Sequence, residues 1–349
     1  VIVMKDMAAR RSSTEKPGLP AKVAFLRQPA SYPERPATVD VLETHMSWLF
    51  MTEQHVYKLK KPFHHDVIDY STLAARRRCC RSELRLNRRL APEVYLAVVP
   101  LTVDRAGCLA LAGAGRSIDW LVKMRRLPAD MTLEQRLRHG AFGARDARRI
   151  VQRLVPFFAA APRAAWTPAA YRRHLTRSIR ATARQLARPE FRLERPAIDA
   201  IAAGLLRAIE LHAEQLDARV RGEHIVEGHG DLRPEHIYLT EPLSIVDCLE
   251  FDRELRLRDP IDELAFLTLE CQRLGEPRSD RWFFDAYRKL SGDHPPRVLI
   301  DFHKARNAFV RAEIAIWHLD DPETGPPQHW IDQGNDYLRR ARLAMRRLR

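Results

Sequence analysis

Short runs of strand-forming residues divided by polar breaks occupy the early part of the chain: Val39–Leu42, Ser47–Met51 and His55–Pro62. Their length and spacing predict an antiparallel sheet. Because side chains alternate along a strand, the third run sets Lys58 and Lys60 on one face and Lys61 on the other. The period then changes. Ser71 to Leu90 reads as a helix capped by Ser71, with Leu73, Cys80, Leu84 and Asn87 on one stripe and Glu83 at its border. Asp119 to Met124 is strand-like, and Arg125-Arg126-Leu127-Pro128 breaks it before a helix start at Asp130. Beyond that point nearly every apolar pattern is helical. Ile150, Val151, Leu154, Val155 and Phe158 recur at helical spacing, and Tyr171–Ala187, Pro196–Val220, Arg297–His318 and Trp330–Leu348 follow. The last of these is basic and amphipathic, and Leu338, Ala341, Met345 and Leu348 predict packing on a helical body. The expected fold is α+β in two lobes, a sheet with one helix over residues 21–123 and a helical lobe over 129–349, joined by 124–128.

Composition narrows the class. At 349 residues, 45% apolar and 30% charged, the chain is long enough for two sizeable cores. Residues 1–20, rich in Arg, Ser and Pro without periodicity, are expected to be a loose terminus. The five cysteines form no Cys-x-x-Cys pair, which fits a reducing cytoplasm, and no apolar run approaches a membrane span. The formal charge of +14 favours anionic small partners. Its arginines are scattered over many helices without aromatic interleaving, so no specific nucleic-acid partner is expected.

The stretch with the most chemistry is His229-Gly230-Asp231-Leu-Arg233-Pro-Glu-His236-Ile-Tyr-Leu, followed by Leu243-Ser-Ile-Val-Asp247. A polar loop offers an aspartate and, five residues later, a second ligand candidate. It runs into one short apolar strand, and a second ends on another aspartate. Two hairpin strands of four or five residues would bring both loop ends to one rim, so that Asp231 and Asp247 face one nucleotide. That order suits phosphoryl transfer, in which one carboxylate receives the hydroxyl proton and the other holds magnesium.

These words, with Asp259-Pro-Ile-Asp262-Glu-Leu-Ala265, are similar to the aminoglycoside phosphotransferase and choline kinase-like family, and within it to an uncharacterised bacterial branch. The resemblance covers about Val39 to Leu274. It implies a protein-kinase-like fold and transfer of the γ-phosphoryl group of ATP (or GTP), with Mg²⁺, to a hydroxyl of a small molecule. By resemblance Asp231 is the catalytic base, Asp247 a magnesium ligand, and His236 stands where the family has asparagine. His229 supports the loop, and Asp262, beside the helix-starting Asp259, either braces that loop or stabilises its own helix N-terminus. Leu59-Lys60-Lys61-Pro62 is similar to the strand that supplies the phosphate-binding lysine, with Lys58 as its alternative, and Glu83 matches the glutamate that orients it. The loop over the phosphates would be Glu43 to Ser47, with hydroxyls and amides from Thr44 and Ser47. The backbone of Met124, Arg125, Arg126 and Leu127 would meet the base.

Two other classes compete. His229, Asp231 and His236 have the residue types of a two-histidine, one-carboxylate iron site, but no double-stranded β fold is visible. A kinase-shaped protein that binds nucleotide and transfers nothing is the stronger rival, because the asparagine is replaced and the phosphate loop lacks glycine.

Overall fold

The computed structural model describes residues 17–65, 68–320 and 326–348. These form two compact units: residues up to Arg81 with Leu96–Arg126, and Ser82–Tyr95 with Leu127 onward. The expected loose terminus lies outside the described residues as far as residue 16, but it does not reach Pro20. Helix α1 (Leu19–Leu26) starts there, with Gly18 before it and proline in its first turn. The reason is packing: Val23 and Leu26 join the apolar core of this unit, and the buried Lys22 reaches Asp119 at 2.7 Å.

The first unit is built on a six-stranded sheet. Its strands β1 (Asp40–Glu43), β2 (Ser47–Met51) and β3 (His55–Lys60) come first, followed by two-residue strands β4 (His64–His65) and β5 (Ile68–Asp69) that pair separately. Helix α2 (Leu73–Asn87) precedes β6 (Tyr95–Val103), β7 (Leu109–Leu111) and β8 (Arg116–Arg125), and the sheet order is β1-β2-β3-β8-β6-β7. The antiparallel pairing of β2 with β3 sets Ser47 opposite Lys60, and that of β3 with β8 sets Tyr57 opposite Lys123. Tyr57, Leu59, Phe50, Leu101 and Leu121 close the core. At the start of α2 the capping group is Thr72, not Ser71: the Thr72 hydroxyl accepts from the amide of Ala75, while Ser71 bonds to Asp69.

The second unit takes the end of α2 and then α3 (Leu133–Arg138), α4 (Ala144–Ala160), α5 (Pro168–Leu186), α6 (Arg195–Leu211) and α7 (Ala213–Arg221). Four two-residue strands follow, β9 (Val226–Glu227), β10 (Ile237–Tyr238), β11 (Ser244–Ile245) and β12 (Leu257–Arg258), in the pairs β10-β11 and β9-β12. Helices α8 (Pro260–Arg273), α9 (Ser279–Ser291), α10 (Arg297–Trp317) and α11 (Pro327–Met345) complete it. The hairpin after Asp231 is thus shorter than the four or five residues expected: Leu239 leaves β10 to donate to Met131, while the amide of Val246 continues the pairing by donating to the carbonyl of His236. Helix α10 is buried on nearly all sides, and its charged residues there have partners: Lys304 meets Asp280, Arg306 meets Asp262 at 2.6 Å, and Asp301 meets Arg297 at 3.0 Å. The expected packing of the last helix holds, with Tyr337, Leu338, Ala341 and Leu348 in the core. No described helix is long and apolar enough to cross a membrane.

Candidate functional site

The loop that enters the site is held by its backbone. Leaving β9, the carbonyls of Glu227 and Gly228 accept from the Arg89 guanidinium at 2.8 and 2.9 Å. The amides of His229 and Gly230 both donate to Glu263 Oε1 on the first turn of α8, at 3.1 and 2.7 Å. A Cβ at Gly228 would lie 2.8 Å from that same oxygen, so a larger residue there would push the carboxylate off the two amides. Gly230 has φ +89°, which turns the chain sharply enough to expose the next side chain. His229 is fully buried; its Nε2 donates to the carbonyl of Val246 at 2.9 Å and its Nδ1 accepts from the amide of Asp231 at 3.3 Å. Burial, with His236 beside it, pushes its pKa down to about 4, so the ring is a neutral structural pin.

This frame leaves two carboxylates in reach of one imidazole. Nδ1 of His236 donates to the carbonyl of Asp231 at 2.9 Å and lies 3.7 Å from its Oδ2. Nε2 of the same ring lies 3.6 Å from Oδ2 of Asp247. Since the carbonyl only accepts, Nδ1 carries the hydrogen, and in a neutral ring the Nε2 lone pair then faces the Asp247 carboxylate. A proton or a cation between them removes that repulsion. Burial alone would raise the pKa of Asp231, but Arg233, His236 and Arg311 outweigh it and hold the carboxyl below its usual range. Arg233 stands 4.0 Å away. Asp247 sits in the left-handed region at φ +63°, its amide donating to the Tyr95 hydroxyl at 3.1 Å, and its side chain is 46% exposed. Such a φ, shared by Arg35, Ala112, Arg192 and Glu223, carries a small backbone strain that an aspartate tolerates better than most residues. Next to it the amide of Cys248 donates to Asn87 Oδ1 at 2.9 Å.

Of the two adjacent acids on α8, the loop is braced by Glu263 and not by Asp262. Asp262 instead accepts from Arg306 at 2.6 Å and from Asn307 at 2.8 Å. Burial opposes its ionisation, but Arg258, Arg306 and His303 drive its pKa well down. Among the described residues no cation forms an ion pair with Glu263, and burial, against the opposing charge of Arg258, pushes its pKa up to about 7. Asp259 caps α8 by accepting from the amide of Ile261 and binds Arg219 through both oxygens, at 2.7 and 2.8 Å. Sequence reasoning missed Glu263, Arg89 and Tyr95. Glu263 had a visible signal, an acid in the first helical turn, but the choice between it and its neighbour depends on helix rotation, which only the fold fixes.

The remaining expected residues lie on other elements. Lys60 ends β3 at 1% exposure, with its ammonium 4.8 Å from the Tyr70 ring centre. Lys58 is half-buried, and Lys61, on the opposite face, pairs with Glu43 at 2.5 Å. Glu83 is fully buried on α2, deeper than the border position expected. The turn from Glu43 to Ser47 uses its own polar groups: Thr44 Oγ1 donates to the Ser47 carbonyl at 2.9 Å and accepts from the Ser47 amide at 3.0 Å. The amides of Thr44 and Ser47 are therefore taken, contrary to their expected role as free donors. Met124 and Arg125 belong to β8, paired with Val56 and His55, and the Arg126 amide donates to Gln54 at 2.7 Å. The break between units falls after Arg126, before the half-buried Leu127.

No family model matches the chain. Uncharacterised proteins of Mycobacterium tuberculosis and Mycobacterium bovis are 31% identical to it over 288 residues, 79% of this chain and 54% of theirs. The chain thus spans about half the length of these curated relatives. Among solved structures, a choline/ethanolamine kinase family protein from Mesorhizobium loti is similar with TM-score 0.56 at 16% identity, over 93% of this chain and 94% of that one. Choline kinase from Cryptosporidium parvum gives TM-score 0.56 at 8% identity, covering 92% and 95%. Aminoglycoside 2'-phosphotransferase-IIIa, solved with GDP, gives 0.52 at 15%, covering 92% and 98%. The resemblance seen in the sequence therefore holds at the level of architecture: the chain has the protein-kinase-like fold of choline kinases and aminoglycoside phosphotransferases.

Proposed function

We propose that this protein is a small-molecule kinase that transfers the γ-phosphoryl group of ATP or GTP to a hydroxyl of its acceptor. One observation carries the reading: Asp231 and Asp247 are each held within 4 Å of the His236 ring by a loop whose backbone is fixed elsewhere. Asp231, kept ionised by the cations around it, takes the proton of the attacking hydroxyl. Asp247, half exposed, has the hard oxygen donors that Mg²⁺ prefers, and its distance from Nε2 of His236 leaves room for a cation on that side. When bound, the metal neutralises charge on the phosphates. His236 positions the loop through the Asp231 carbonyl and does not replace an asparagine oxygen. Lys60 contacts the phosphates, Glu83 orients it, and the backbone near Met124 to Leu127 meets the base.

A second reading, nucleotide binding without transfer, is favoured by the turn at Thr44, whose hydroxyl and amide are already engaged. One experiment separates the two. The protein is incubated with labelled ATP, Mg²⁺ and a metabolite extract, and products are followed by mass spectrometry. A compound gaining one phosphate supports the kinase. Stabilisation by nucleotide with no phosphorylated product supports the second reading, and no change in melting temperature with ATP or GTP removes both.

A further inference from the structure

Some of the arginines that look scattered in the sequence gather on α2 and β8 of the first unit, as others do on α5. The run Arg76-Arg77-Arg78 begins α2, and its members have different fates. Arg76 is buried and bonds to both oxygens of Asp119, at 2.7 and 3.1 Å. Arg77, Arg78 and Arg81 are exposed, as is Arg116 at the start of β8, and none of the four forms an ion pair with a described carboxylate. They line a concavity of about 620 Å³ together with Trp120, over whose ring the Arg77 guanidinium lies at 4.6 Å. Asp69, whose carboxylate accepts from the amide and hydroxyl of Ser71, also feels the charge of Arg78. Like charges at these helical spacings repel each other, so the arrangement is unfavourable unless an anion enters it.

We propose that this concavity binds a small molecule carrying two or more phosphate groups. Four guanidiniums place about four positive charges around one space, which two or three phosphates match, and each planar fork can hold a phosphate through two hydrogen bonds. The volume is in the range of small-molecule sites. A single indole, without further aromatic residues in line, does not make a track for successive bases, which disfavours a nucleic acid. The site is separate in its residues from Lys60 and from the aspartates assigned to phosphoryl transfer.

The test is titration of the protein with inorganic tripolyphosphate, followed by calorimetry and tryptophan fluorescence. Saturable binding is expected, weakened about tenfold or more in the double variant Arg78→Ala/Arg81→Ala. It should be unchanged in a control pair from the exposed arginines of α4, Arg145→Ala/Arg148→Ala. Trp120→Phe should bind and lose the fluorescence change. Binding left intact by Arg78→Ala/Arg81→Ala would place the ligand outside this concavity and overturn the proposal. Equal weakening by both arginine pairs would reduce it to general basicity, and absence of saturable binding would dismiss it. These variants alter exposed or half-buried side chains, and unchanged melting curves would show that they fold.

Discussion

The loop that carries Asp231 and the turn from Glu43 to Ser47 are both short polar connections, and they use their backbone groups in opposite ways. In the loop, the amides of His229 and Gly230 are bound by the buried Glu263 and the carbonyls before them by Arg89, so the carboxylate of Asp231 is left for chemistry. In the turn, the amides of Thr44 and Ser47 close the hairpin on itself, and the support from outside comes from nearby in the chain, the Lys61 amide donating to the Met46 carbonyl and its ammonium pairing with Glu43. The difference teaches that a site whose working groups are side chains can be assembled by distant partners that spare those groups. A site whose working groups would be amides must leave them unpaired, which a tight turn without glycine does not do.

If the loop depends on Glu263, removing that side chain should have the largest effect on stability. Glu263→Ala leaves two buried amides unpaired, and each buried donor left unsatisfied costs about 1–3 kcal/mol, so a loss of roughly 3 kcal/mol is expected in denaturant unfolding. Glu263→Gln keeps an acceptor oxygen and should lose about 1 kcal/mol. A Glu263→Ala variant as stable as the parent would end the contrast between loop and turn.

The same carboxyl sharpens the comparison through pH. Its folded pKa of about 7 lies above the ordinary 4.5, so its contribution favours the folded state fully below pH 4.5 and is lost as pH rises through 7. Relative to Glu263→Gln, the parent should therefore lose up to about 3 kcal/mol between those limits, since a tenfold change in proton affinity corresponds to about 1.4 kcal/mol. A difference that stays flat across this window would show that the carboxyl titrates as it does in the unfolded chain.

Much of the architecture was legible because it rests on local patterns. The strand runs, the helix from Leu73 and the Asp-Pro helix start are set by alternation, periodicity and capping, and they appear within a few residues of where the pattern puts them. Asp231, His236 and Asp247 were legible for a similar reason, since they lie on one hairpin whose short strands fix their separation. Glu263 was not, because Asp262 and Glu263 are equivalent in the sequence and differ only in which way the helix turns them. The engaged amides of the Thr44 turn were hidden too, since hydrogen bonds within a turn leave no mark on residue type. Helix α1 escaped because its apolar face is two residues, Val23 and Leu26, and its polar anchor is Asp119, about a hundred positions away.

Smaller effects are expected in the first unit. Lys60→Ala should reduce the melting-temperature rise given by Mg-ATP by more than Lys61→Ala, whose ammonium pairs with Glu43 on the other face. An equal loss from Lys58→Ala alone would transfer the phosphate contact to Lys58. The smallest change is expected for His236→Asn, which should bind nucleotide as before with turnover within about tenfold of the parent, near 1.4 kcal/mol. A loss of several orders of magnitude with both Mg²⁺ and Mn²⁺ would give the imidazole a part in the chemistry.

The central claim is the division of labour between the two aspartates, and it is tested by measuring Mg²⁺-dependent nucleotide binding and phosphoryl transfer together in Asp231→Asn and Asp247→Asn. Asp231→Asn should bind Mg-ATP as the parent does and transfer at least about 10²-fold more slowly, while Asp247→Asn should lose the metal-dependent part of binding as well as transfer. Full transfer by Asp231→Asn, or identical binding by the two folded variants, would contradict the account.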